Sequence, residues 1–74
     1  MPHVIVKHFP APLDDERRAR LAARISEALQ EAFGVDDGAV SIVLQPVEPE
    51  VWDTEVYQPE IADRRDQLLK VPSY

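Results

Sequence analysis

The chain has 74 residues and a formal net charge of −6; 45% of it is apolar and it has no cysteine. That length excludes a multidomain enzyme and any fold that wraps a large cofactor, and the acidic balance disfavours the phosphate backbone of nucleic acid as a partner. With disulfides and cysteine-bound zinc both excluded, oligomerisation is the remaining way for so small a core to offset the entropy of ordering the chain.

Residues 3 to 9, His-Val-Ile-Val-Lys-His-Phe, are rich in β-branched side chains and read as a first strand. One face carries Val4, Val6 and His8, the other His3, Ile5, Lys7 and Phe9. Pro10 and Pro12 close the strand, because proline supplies no ladder N–H. Asp14 is a good N-cap, and Asp15 and Glu16 suit the positive end of the helix dipole. The helix that follows has an apolar stripe of Leu21, Ile25, Ala28, Leu29 and Ala32, and ends at Phe33 with Gly34 in the left-handed position.

Val35 to Gly38 reads as a turn, and Val40 to Gln45 as a second strand. Its nearly continuous apolar run suits a parallel strand covered on both faces, with the helix as a right-handed crossover. In the tail, Val51 to Tyr57 reads as a short helical turn. Pro59 is expected in the first turn of a last helix, Glu60 to Lys70, which Pro72 stops. The expected architecture is α+β: a single domain over 1-74 with parallel strands, a long helix and a short C-terminal helix. Two strands and a helix make no stable sheet alone, so two copies are expected to join in a four-stranded sheet with both long helices on one face.

No apolar run approaches membrane-spanning length, and no export signal precedes the first strand, so a cytoplasmic protein without membrane or nucleic-acid partners is expected. Met1-Pro2 is the pair that bears on chemistry. Removal of Met1 leaves a secondary amine fixed by its ring at the mouth of the first strand. Apolar surroundings penalise its charged form, and a base poised near neutral pH moves protons between carbon and oxygen. The same two residues also read as an ordinary start with no chemistry.

Across the whole chain the sequence resembles the tautomerase superfamily, typified by 4-oxalocrotonate tautomerase, and within it the PptA-type proteins. The residues that carry the resemblance are Pro2-His3, Lys7-His8-Phe9-Pro10, Leu13-Asp14, Ser41-Ile42-Val43-Leu44-Gln45, Pro49-Glu50-Val51-Trp52 and Pro72-Ser73-Tyr74, in order and at the family's spacing. The resemblance implies a β-α-β protomer paired into dimers, no cofactor, and an N-terminal proline as catalytic base. That role falls on Pro2. The flanking aromatic falls at Trp52 and the pocket residue late in strand one at Phe9. Two substrate-binding arginines of the hexameric members are matched by Pro12 and Ser41. Serine does not replace arginine as a bidentate carboxylate partner. The resemblance therefore implies poor turnover of 4-oxalocrotonate and a preference for aromatic enols such as phenylenolpyruvate. The longer tail fits the dimeric group, with the hexamer left open.

Each candidate also has a plainer reading. Trp52 and Phe9 line a substrate pocket or seal an interface; Ser41 binds a substrate oxygen or is a satisfied strand serine. His3 and His8 lie on opposite faces and form no metal face. His8 shares its face with Pro2 as a candidate carboxylate ligand, and Lys7 is a candidate positive charge near Pro2 or a solvated lysine. Arg17, Arg18 and Arg20 read as an exposed helix face, and Glu48, Glu50, Asp53 and Glu55 as a solvated turn, so no metal site is expected. The leading function is a cofactor-independent keto–enol tautomerase acting on a small aromatic 2-oxo acid, an isomerase. The alternatives are a non-catalytic dimeric binding protein on the same scaffold and a hydratase- or dehalogenase-like member.

Overall fold

The computed structural model describes residues 1–74. Strand β1 (His3–His8) leads through a proline-rich link into helix α1 (Asp15–Phe33), and the chain returns in strand β2 (Ser41–Pro46). The strands pair in parallel, from His3 opposite Ser41 to His8 opposite Pro46. Paired residues share a face, so Val4, Val6, Ile42 and Leu44, all half-buried, form one side. His3, Ile5, Ser41 and Val43, all exposed, form the other. The strand expected to be covered on both faces is thus open on one, and Val43 remains 44% exposed.

Local chemistry sets the bounds of α1. The Asp14 carboxylate accepts the Arg17 N–H at 2.8 Å, satisfying a backbone donor that has no partner inside the helix. Gly34 adopts φ 64°, ψ 41° and donates to the Gln30 carbonyl at 2.9 Å. The expected stripe is only partly covered: Ile25 and Leu29 are half-buried, while Leu21, Ala28 and Ala32 are exposed. The one buried residue of α1 is polar. Ser26 donates to Asp37 Oδ1 at 2.6 Å and accepts from Gln30 Nε2 at 3.0 Å. These bonds fasten α1 to a short 3₁₀ turn, Asp37–Ala39, that sets the start of β2.

The tail departs from expectation. Helix α2 (Pro49–Trp52) takes its proline at the first turn from Pro49, not Pro59. It runs on into a π-helical stretch, Asp53–Ile61, with Pro59 inside it, and then a 3₁₀ segment, Ala62–Gln67, in place of one helix to Lys70. Proline lacks the N–H of the α-helical ladder, and its ring collides with the carbonyl four residues back. The chain nevertheless stays helical through Pro59, in π rather than α geometry, where sequence pattern argues for a restart. Val47 and Val56 are the only buried apolar residues, at the exit of β2 and in the π stretch. Lys7 and Glu60 join at 2.5 Å and tie β1 to that segment. The radius of gyration is 14.0 Å, with extents of 35 × 31 × 19 Å. A self-contained domain of this length measures about 11 Å.

Candidate functional site

Pro2 is half-buried at the entrance of β1. Its carbonyl accepts the Ser41 amide at 3.2 Å, so the backbone ladder begins at this residue. Parallel pairing places His3 opposite Ser41, and His3 Nδ1 lies 2.7 Å from Ser41 Oγ. Both side chains are exposed, on the face opposite the half-buried valines.

At the other end of β1 the aromatic residues converge. Phe9 and Trp52 meet edge to face, ring centroids 5.0 Å apart at 86°. Tyr74 joins them, and the three rings line an open apolar cleft of about 520 Å³. The tail is held there by two contacts. Tyr74 leans on Tyr57 at 5.8 Å, and Arg65 donates to the Tyr57 hydroxyl and the Tyr74 backbone oxygen, each at 3.3 Å. Phe9 remains 51% exposed and Tyr74 60%, so the cleft faces outward.

The expected site residues therefore form two groups, Pro2 with Ser41 and Phe9 with Trp52. Phe9 stands seven positions along strand-like chain from Pro2, about 23 Å at the usual rise. Two further residues belong beside them. His3 joins through its bond to Ser41, a partnership hidden in sequence because it spans 38 residues and depends on strand register. Tyr74 joins through the fold-back of the tail, for which Arg65 is the only local signal.

Several other candidates fall away from the chemistry. His8 Nδ1 lies 2.7 Å from the Phe9 carbonyl and so carries a proton toward it; Nε2 is buried with no partner. A nitrogen that solvent does not touch is closed to a substrate carboxylate too. Lys7 is five residues along β1 from Pro2 and is neutralised by Glu60. Arg20 pairs with Glu16 at 3.5 Å, and Arg17, Arg20 and Arg24 flank a shallow groove on α1. Glu48, Glu50, Asp53 and Glu55 are all exposed. No three His, Cys, Asp or Glu residues are grouped to hold a metal ion, and no helix is long and apolar enough to cross a membrane.

The model of a protein family described as "Tautomerase enzyme" matches residues 2–57, from the proline through both strands to the π stretch. The chain belongs to the tautomerase family. Relatives align along its whole length. It is 45% identical to a tautomerase PptA of Klebsiella pneumoniae, 42% to one of Enterobacter sp. and 38% to one of Escherichia coli. Each alignment covers 100% of this chain and 97% of the relative. As a tautomerase the chain is an isomerase, of the kind that interconverts keto and enol groups. The matched span holds Pro2, Phe9, Ser41 and Trp52; Tyr74 lies outside it.

Proposed function

We propose that the chain is a cofactor-independent keto–enol tautomerase of small aromatic 2-oxo acids, with Pro2 as general base and a site assembled between two copies. The observation that carries this reading is the separation of Pro2 and Ser41 from the aromatic cleft by the length of β1. A substrate the size of phenylpyruvate cannot bridge about 23 Å. A second copy removes the difficulty. If β1 pairs antiparallel with its counterpart about an axis near residues 5 and 6, with both α1 helices on one side, residue 2 of one copy lies beside residues 8 to 10 of the other. The symmetry axis is then perpendicular to the sheet and keeps the faces of the two strands in common. His3 and Phe9 have the same parity along the strand, so Phe9 and Trp52 of the partner subunit stand on the side where His3 and Ser41 lie.

In that arrangement the phenyl ring occupies the aromatic cleft and the enol lies at Pro2. Once Met1 is removed, the proline nitrogen takes the enol hydroxyl proton, and the electron pair released forms the C2 carbonyl. The π electrons between C2 and C3 take a proton at C3 from the resulting ammonium. One proton leaves oxygen, one reaches carbon, and the base returns to its first state. The apolar lining of the cleft supports an aromatic rather than a second carboxylate at that end. Phe9, Trp52 and Ser41 bind substrate in this reading, and the pair of subunits forms a homodimer.

The test is ketonisation of phenylenolpyruvate by protein whose intact mass shows Met1 removed, beside Pro2→Ala. A positioned proton-transfer group contributes roughly 10²–10⁴-fold, so Pro2→Ala is expected to lose at least about a hundredfold in kcat/KM with an unchanged circular dichroism spectrum. Equal rates from the two proteins would remove the proline from the chemistry.

A further inference from the structure

We propose that His3 and Ser41 act as one hydrogen-bond donor that holds the carboxylate of the 2-oxo acid beside Pro2; the proposal rests on the reading of Pro2 as the base.

The pair shares a single bond, His3 Nδ1 to Ser41 Oγ at 2.7 Å, and neither side chain makes another within the chain. Two neutral arrangements satisfy that bond. With the ring proton on Nε2, the serine hydroxyl donates to Nδ1 and Nε2–H is left free. With the proton on Nδ1, that N–H donates to Oγ and the serine hydroxyl proton is left free. Protonation of the ring leaves both Nε2–H and the hydroxyl free. In every state the pair presents at least one unspent donor, and both residues are exposed. A pair that always has a proton to donate suits an acceptor that always has a lone pair to receive it, which a carboxylate is.

Position supports the same role. Ser41 is locked to Pro2 through the backbone bond of 3.2 Å, and His3 is the next residue in the chain. In a 2-oxo acid the carboxylate is bonded directly to the enol carbon. A donor adjoining the base thus fixes the group adjoining the hydroxyl that the base must deprotonate. The pair offers one directed donor where a guanidinium offers a planar fork, which suits a monoacid.

The test uses the full-length protein with Met1 removed and two enols, phenylenolpyruvate and the enol of methyl phenylpyruvate, whose carboxylate is an ester. His3→Ala is expected to raise KM for the acid about tenfold, with kcat little changed, and to leave the ester's KM within about twofold. The Ser41→Ala, His3→Ala double variant is expected to fall short of the product of the two single effects, as residues acting as a unit do. His3→Asn keeps an amide donor toward Ser41 Oγ, frees the serine proton, and is expected to recover most of the acid's KM. Equal losses on acid and ester, or no change in KM for the acid, would overturn the proposal. A Pro2→Ala protein that keeps the rate on both enols would instead overturn the base assignment, and the proposal with it.

Discussion

In the proposed reading, Trp52 is the residue on which substrate preference most directly depends. Its ring meets Phe9 edge to face and forms, with Tyr74, the wall of a cleft lined by aromatic side chains. Such a contact is worth about 0.5–1.5 kcal/mol beyond the area it buries. A substrate ring entering the cleft makes similar contacts, while an aliphatic chain makes fewer. Trp52→Ala is expected to raise KM for phenylenolpyruvate by about tenfold and to change KM for a short aliphatic enol by less than about threefold. Steady-state kinetics on the two substrates measure the difference. An equal loss on both would make Trp52 a structural residue. His8 shows the limit of reading a residue from strand parity. Parity put it on the face of Pro2, yet its free nitrogen is closed off, and closure depends on neighbours that parity does not name.

Among the elements, α1 is the one most fully legible in sequence, because its ends are set by residues within a turn of them. Asp14 and Gly34 act on their own backbone neighbours, and both hold the positions their chemistry predicts. Gly34 has nothing within 4 Å of the place a Cβ would occupy, so the cost of a side chain there is the left-handed φ of 64° alone. Gly34→Ala is expected to destabilise by about 1–2 kcal/mol, readable as a lower urea midpoint at fixed protein concentration with an unchanged slope. The tail was less legible for a related reason. Pro59 fits a helix start by local rule, but Pro49 had already begun a helix, and the π stretch carries the chain past the second proline. Even the roughly 3 kcal/mol that proline costs inside an α-helix does not restart the element here, because the stretch is already running and takes π geometry at that point. The site divides the same way. The order of motifs singles out Phe9 and Trp52, which the fold brings together at the cleft, whereas His3 with Ser41, and Tyr74 with the cleft, depend on register and on a returning tail.

At the scale of the whole molecule, the chain leaves much of its apolar surface uncovered. Only three of its 74 residues are buried, ten large apolar side chains are exposed, and the radius of gyration of 14.0 Å exceeds that of a closed domain. Exposed apolar residues include Ile5 and Val43 on the open sheet face and Phe9 and Tyr74 at the cleft. A site completed between copies has a signature that no single-chain site shares. Pro2→Ala removes the base from one end of β1, and Trp52→Ala removes the ring from the other. Each variant alone is defective in both sites of its dimer. In a mixed dimer the intact Pro2 of one chain meets the intact Trp52 of the other, and one of the two sites is whole. Random pairing of equal amounts makes half the dimers mixed, so with substrate well below KM the two variants refolded together are expected to reach about a quarter of the wild-type kcat/KM. If base and ring served the same chain, every mixed dimer would carry one site without a base and one without a ring, and mixing would restore nothing. The assay needs no structure of the complex, only the rate before and after exchange.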